Sequence, residues 1–350
     1  MIETTTANRP AGTNLAGLTK NDYRGSATTL CAGCGHNSIA NQIITACFEL
    51  DLLPEQVLKF SGIGCSSKSP AYFLSRAFGF NTLHGRMPSV ATGAAFGNPS
   101  LKSVAVSGDG DTASIGMGQF KHVIRRNLNL TYIIENNGVY GLTKGQFSAT
   151  AEEGLTLKYQ GSNPYRAIDI CLEALAAHAT FIARSFAGDA KQVKELIKAA
   201  IGHQGMAILD IISPCVTFNN EDEAHHSYGW NKEHEIQIHD LTYVPHREEI
   251  VLENGYAEGE YQEVRLHDGS VIVLKKVDRV YDPTDRIGAM NAIEESNAQD
   301  VLLTGLLYID PNRPALTELY NLIDTPLNRA PANSLRPAKA TMDQVNAMMF

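Results

Sequence analysis

Long apolar runs are missing from this sequence. Nothing in its 350 residues approaches the roughly 18 consecutive apolar positions of a transmembrane helix, so no membrane span is expected. Basic runs are missing too. The 29 Lys and Arg against 38 Asp and Glu give a formal charge of −9, and no cationic stretch suits a phosphate backbone, which argues against nucleic acid as a partner. Residues Met1 to Pro10 carry neither the basic start nor the apolar stretch of a signal peptide, and the expectation is a cytoplasmic protein. Cysteine is scarce, at six. In a reducing compartment those six are poor disulfide candidates, and clustered thiols there more often bind metal or do redox work. Apolar side chains, by contrast, make up 43% of the sequence, ample for the core of one large or two modest domains.

Residues 1–25 are rich in Thr, Asn and Gly without apolar periodicity, and read as a lead-in segment lying across a neighbouring chain. From Asn37 onward, Ile39, Ile43, Ile44, Cys47 and Leu50 fit one face of a helix. Short β-rich runs follow at 103–107, 131–134, 180–184 and 206–212, with helical stretches near 113–127, 165–177 and 189–202. This alternation predicts an α/β domain over 26–218, a mostly parallel sheet with helices on both faces. Ligands of such folds bind beyond the carboxyl ends of the strands. After residue 218 come charged stretches and a hairpin at Tyr261 to Lys276 turning on Asp268-Gly269. Residues 219–350 read as a C-terminal extension that serves an interface rather than the chemistry.

Gly108-Asp109-Gly110-Asp111 directly follows one apolar strand and Asn136-Asn137 follows the next, with 25 residues between Gly110 and Asn136. One βα unit takes about that length, so Asp109 and Asn137 are expected side by side at neighbouring strand ends. Mg²⁺ takes near-octahedral oxygen ligands and is commonly shared between a few protein groups and substrate phosphates. The Asp109 carboxylate, the Asn137 amide oxygen and the Val139 carbonyl can supply three, and two diphosphate oxygens and a water the rest. The glycines let the backbone approach the phosphates, and the amides of Gly110 and Asp111, opening a helix, can donate to them. Each half alone is ordinary turn chemistry. Together, at this spacing, they resemble the thiamine-diphosphate signature.

Four cysteines stand near Gly or Pro in loops: Cys31 and Cys34 in Cys-Ala-Gly-Cys-Gly-His, Cys65 in Gly-Ile-Gly-Cys-Ser-Ser, and Cys215 in Ser-Pro-Cys-Val-Thr-Phe. By count, four thiolates suit a 4Fe-4S cluster or a zinc ion equally well. A compact structural zinc site usually draws on two close pairs, whereas only one pair here is close. Cys47 and Cys171 each fall on an apolar helical face and read as buried free thiols.

Over residues 28–218 the chain resembles the β subunit of 2-oxoacid:ferredoxin oxidoreductases. The resemblance rests on the three cysteine motifs, His84-Gly85-Arg86, Ala91-Thr92-Gly93, Gly108-Asp109-Gly110-Asp111 and Glu135-Asn136-Asn137-Gly138-Val139-Tyr140-Gly141-Leu142-Thr143-Lys144-Gly145-Gln146. It implies a thiamine-diphosphate-binding fold carrying thiamine diphosphate, Mg²⁺ and one 4Fe-4S cluster. Cys31, Cys34, Cys65 and Cys215 would be the cluster ligands, and Asp109, Asn137 and the Val139 carbonyl the magnesium ligands. Cofactor contacts would come from Ile63, Gly64, Cys65, Ser66, His84, Gly108, Gly110, Asp111, Gly141 and Leu142. Members often have Trp before and Pro after the first cysteine, where this chain has Leu30 and Ala32. Neither is a ligand, so the departure bears on the cluster's exposure and potential.

The implied reaction is oxidative decarboxylation of a 2-oxoacid to acyl-CoA and CO₂ with reduction of ferredoxin. The implied partner is an α subunit carrying the activating glutamate and the coenzyme A site, in an αβ unit doubled by symmetry. This chain alone would be inactive. His84 reads as a proton shuttle or substrate hydrogen-bond donor. Lys68, Arg86 and Lys144 flank the cofactor motifs, and cations there favour the distal carboxylate of 2-oxoglutarate over pyruvate. Two competing readings keep zinc on the thiolates: a thiamine-dependent decarboxylase or carboligase, and a non-catalytic, zinc-stabilised interaction subunit.

Overall fold

The computed structural model describes residues 10–246, 248, 261–276, 281–323 and 325–349. In chain order its first half runs α1 (Gly35–Glu49), β1 (Val57–Ser61), β2 (Phe78–Asn81), α2 (Met87–Gly97), β3 (Lys102–Gly108), α3 (Met117–Arg126) and β4 (Leu130–Asn136). Two short hairpins follow, β5 (Val139–Tyr140) with β6 (Gln146–Phe147) and β7 (Thr156–Leu157) with β8 (Gly161–Ser162). Then come α4 (Ile170–Ala176), β9 (Phe181–Phe186), α5 (Ala190–Gly202), β10 (Met206–Ile212), α6 (Tyr228–His234), β11 (Glu235–Gln237) and β12 (His239–Val244). After them lie β13 (Tyr261–Arg265), β14 (Val271–Lys276), α7 (Arg286–Ala298) and β15 (Leu302–Ile309).

Eight strands form one sheet in the order β11-β15-β9-β10-β4-β3-β1-β2. The six strands from β9 to β2 pair in parallel, and β15 joins β9 antiparallel. Every residue of β4 and β10 is buried, as expected of central parallel strands covered on both faces. One cover is built on α1 and α5, where Ile39, Ile43 and Ile44 share a core with Val193, Leu196 and Ile197. The other uses α2, α3, α4 and α7, with Phe120, Ile124, Leu175 and Ile293 in a second core. The expected α/β architecture with helices on both faces is therefore present.

Several boundaries differ from expectation for local reasons. The helix anticipated near 113–127 is split: Gly110–Ile115 forms one π-helical turn, and α3 begins only at Met117. π turns of this kind recur at functional sites. A Cβ at Gly116 would clash with the Asp111 carbonyl at 2.6 Å, so the break is a close backbone crossing that glycine permits. Helix α4 starts at Ile170 rather than 165, where the Asp169 side chain caps it by accepting from Leu172 N at 3.0 Å. The hairpin at 261–276 forms as read, with Gly269 at φ +82° in its turn. Residue 218 is not an edge of the sheet, because β11 and β15 lie beyond it and extend the sheet past β9. Of the lead-in segment, residues 1–9 lie outside the described residues.

Candidate functional site

The carboxyl ends of β1, β2, β3, β4 and β10 all point to one edge of the sheet, and the chemistry-bearing motifs follow directly on those ends. Ser61 leads into Gly62–Cys65, Asn81 into His84, Gly108 into Asp109–Asp111, Asn136 into Asn137–Val139, and Ile212 into Ser213–Cys215. Because β3 and β4 are neighbours in register from Val104↔Thr131 to Gly108↔Glu135, Asp109 and Asn137 emerge together. The Asn137 amide donates to Asp109 Oδ1 at 3.3 Å.

Asp109 is 2% exposed and is held by hydroxyls. Ser148 Oγ donates to its Oδ2, and Thr150 Oγ1 lies 2.9 Å from the same oxygen. Among the described residues no Lys, Arg or His forms an ion pair with it. A buried carboxylate that faces a cavity and is held there by hydroxyls fits a divalent ion. Asp111 is occupied differently. Its Oδ1 accepts from Ile63 N at 3.2 Å and Gly85 N at 2.8 Å and lies against His84 Nδ1, while its Oδ2 accepts from Ser107 Oγ at 2.6 Å. It thus ties the tips of β1, β2 and β3 to one another, and its side chain is not free to meet a ligand. A Cβ on Gly62 would fall on Asp111 Oδ2. Gly62→Ala is therefore expected to cost about 1–3 kcal/mol through overpacking, read as a lowered midpoint of denaturant unfolding, and an unchanged midpoint would remove this account of the glycine.

A cavity of about 120 Å³ opens among these tips. Ile63, Gly64, Cys65, Ser66, His84, Gly108, Asp109, Gly110, Asp111, Asn137, Val139, Gly141 and Leu142 line it, so every anticipated cofactor contact faces one space. Gly64, at φ +120°, has nothing within 4 Å of an added Cβ, so the space beside it is open. Leu142 is 51% exposed at its mouth.

A second cavity, of about 190 Å³, adjoins the first and brings together Cys31, Cys34, Cys65 and Cys215. The loops are tied closely. Gly35 N donates to Pro214 O at 3.5 Å, Thr217 Oγ1 lies 3.5 Å from Cys31 Sγ, and a Cβ on Gly141 would sit 3.5 Å from Cys215 Sγ and 3.6 Å from Cys65 Sγ. Among the described residues no group of three or more His, Cys, Asp or Glu side chains surrounds a single metal-ion position. The four thiols line one cavity, a donor set that by count suits a 4Fe-4S cluster or a zinc ion. Burial pushes the Cys34 thiol up to about 12 and also raises Cys65 and Cys215, so loading iron must displace protons from them. Cys47 and Cys171 are fully buried in the two cores, away from this cavity.

The three cations separate. Lys68 lines the thiol cavity, whereas Arg86 and Lys144 are exposed and line neither cavity. Sequence reasoning also passed over residues that the site uses. His36 lines both cavities, with Nδ1 2.6 Å from Ser213 Oγ, and burial lowers it to about 4, leaving it neutral. Glu135 lines the first cavity, fully buried, with only Ser69 Oγ within hydrogen-bond range and His36 Nδ1 at 3.6 Å. Burial raises its carboxyl well above the usual range, which favours the protonated form. Both residues stand inside the quoted motifs, His36 two positions after Cys34 and Glu135 directly before Asn136. Ser148 and Thr150 had no such signal. Larger cavities exist, one of about 610 Å³ at the opposite edge of the sheet, but the motifs that follow β1, β3, β4 and β10 meet at these two.

Residues 62–211 match the family model described as thiamine pyrophosphate enzyme, C-terminal TPP binding domain. The chain is 44% identical over 191 residues to the 2-oxoacid:ferredoxin oxidoreductase subunit beta of Saccharolobus solfataricus, covering 54% of this chain and 63% of that one. It is 39% identical over 192 residues to the 2-oxoglutarate synthase subunit KorB of Methanocaldococcus jannaschii, covering 54% of this chain and 69% of that protein. The match thus spans less than two thirds of the Saccharolobus relative. Among solved structures, the fold is similar to a 2-oxoglutarate:ferredoxin oxidoreductase from Magnetococcus marinus with 2-oxoglutarate, coenzyme A and succinyl-CoA bound. That similarity has a TM-score of 0.72 at 30% identity and covers 94% of this chain and 96% of that one.

Proposed function

This chain belongs to the family of 2-oxoacid:ferredoxin oxidoreductase β subunits, and from that premise we propose that it binds thiamine diphosphate through Mg²⁺ beside a 4Fe-4S cluster, in an enzyme that oxidatively decarboxylates a 2-oxoacid. The products are acyl-CoA and CO₂, with electrons passed to ferredoxin. The observation that carries the reading is a shared wall: His36, Cys65, Asn137, Gly141 and Leu142 line both the diphosphate cavity and the thiol cavity. When bound, thiamine diphosphate supplies the electron sink for loss of CO₂.

The chain's own residues prepare that site. Asp109, Asn137 and the Val139 carbonyl would hold the metal, with Ser148 and Thr150 fixing the Asp109 carboxylate. His84, anchored to Asp111, is partly exposed at the cavity wall and can donate a hydrogen bond to substrate. Cys65 lines both cavities and, as a cluster ligand, would bring the electron acceptor next to the cofactor. Activity depends on an α subunit that supplies the activating glutamate and the coenzyme A site, in a doubled αβ assembly. Anaerobic purification tests the reading: about four iron and four sulfide per chain are expected. A colourless zinc protein would instead favour the zinc-bearing decarboxylase or the interaction subunit.

For substrate, 2-oxoglutarate is favoured over pyruvate. Its name is borne by the Methanocaldococcus relative and the Magnetococcus structure, and Lys68 remains the one anticipated cation lining either cavity. Lys68→Ile is expected to reduce kcat/KM for 2-oxoglutarate about tenfold or more beyond its effect on pyruvate, as loss of a charge-assisted contact to the distal carboxylate requires. Equal losses on the two substrates would remove Lys68 from substrate choice.

A further inference from the structure

The turn that carries Asn137 is braced from outside the diphosphate motif. Asn219, just past Cys215, sends its Nδ2 to the Asn137 carbonyl at 3.0 Å. His226 Nε2 lies 3.2 Å from Asn136 Oδ1, and its Nδ1 faces Glu152 Oε2 at 3.4 Å. All three braced or bracing side chains are buried: Asn136 is 4% exposed, Asn219 2% and His226 5%. Gly138 sits between them at φ +74°, and a Cβ there would come within 3.0 Å of both Asn219 Nδ2 and His226 Nδ1. The turn therefore rests on these two side chains with no space left over.

Two further bonds make the brace directional. Asn136 Nδ2 donates to Asp210 Oδ1 at 2.9 Å, and Thr150 Oγ1 lies 2.8 Å from Asn136 Oδ1 and 2.9 Å from Asp109 Oδ2. Thr150 has one hydroxyl hydrogen and can donate to Asn136 or to Asp109, so a shift of Asn136 is passed to the next residue, Asn137, and alters the hydroxyl that Asp109 shares. We propose that His226, held by Glu152, and Asn219 are positioning residues that set the separation of Asp109 and Asn137 for the metal and its diphosphate. None of them is among the residues lining either cavity. The inference rests on the reading of Asp109 and Asn137 as the metal-diphosphate tip, and it gives part of the segment after residue 218 a role in the chemistry, where the sequence suggested only an interface.

Outer partners of metal ligands typically govern affinity by about 10–100-fold. With the anaerobically purified full-length chain, Mg²⁺ is titrated at saturating thiamine diphosphate and the bound cofactor is followed by calorimetry. His226→Ala and Asn219→Ala are each expected to raise the half-saturating Mg²⁺ about tenfold or more, with iron content as in the wild type. His226→Gln, whose amide can still donate to Asn136, is expected to recover most of the loss. Unchanged Mg²⁺ dependence in both alanine variants would overturn the proposal. So would a loss in His226→Ala that His226→Gln fails to recover, or one that runs parallel with loss of iron, since either marks general structural damage. A wild-type chain that binds no thiamine diphosphate would instead sink the parent reading, and this one with it.

Discussion

Asp109→Ala is expected to weaken thiamine diphosphate binding by about 100-fold or more while iron content stays at the wild-type level. The charge balance sets the size of the effect: Asp109 is the buried carboxylate at the tip of β3, and Asn137 and the Val139 carbonyl are neutral oxygen donors. Removing the carboxylate leaves a divalent ion and a diphosphate with no anionic protein ligand from this motif, a greater loss than the 10–100-fold typical of outer partners. The Ser148 hydroxyl would lose its carboxylate acceptor at the same time. Cofactor content after desalting, with iron measured on the same sample, checks this. Cofactor retained at the native level would show that Asp109 does not hold the metal.

Cys215→Ala is expected to do the converse, cutting iron to a small fraction of the native content while thiamine diphosphate affinity changes only a few-fold. Cys215 opens a tight turn in which its carbonyl accepts from Phe218 N at 3.1 Å and Asn219 N at 2.9 Å, and that turn survives the substitution. The cavity loses one of four thiols drawn from three separate loops. Three thiolates hold a cluster poorly, and one that assembles is exposed to loss on oxidation. Because the thiols tie α1, the β1 loop and the β10 loop together, the cluster-free chain is also expected to unfold at a lower denaturant concentration than the native one. Full native iron in Cys215→Ala would remove Cys215 from the ligand set.

How far the sequence reveals these features depends on how local each signal is. Strands β3, β4 and β10 are continuous apolar runs closed by Gly, Asn or Ser, so their ends, and with them the Asp109 and Asn137 tips, can be read directly. Strand β2 gives no such signal: its residues Phe78–Asn81 are all exposed on the edge of the sheet. Helix α2, spelled MPSVATGAAFG, is too rich in small residues to show an apolar stripe. Strand β15 is an apolar run, but its antiparallel place beside β9 is a tertiary fact that the alternating pattern hides. The same holds at the site. Cys31, Cys34, Cys65 and Cys215 advertise themselves by residue type, whereas Asn219 and His226 reach their partners across 82 and 90 residues and carry no local pattern. Of the cations, Arg86 and Lys144 stand close along the chain to the cofactor motifs, but neither is among the residues lining the two cavities.

We propose that the Asp109–Asn137 tip and the thiol cavity, which share a wall, would work as one electron path once metal, cofactor and cluster are bound. The most direct measurement is the visible absorbance of the anaerobic, partner-bound protein on addition of 2-oxoglutarate without an external acceptor. Bleaching of the iron–sulfur chromophore in the native protein, absent from Asp109→Ala with equal iron, is the predicted result. Bleaching of equal extent in both proteins, or none in either with full cofactor bound, would contradict it.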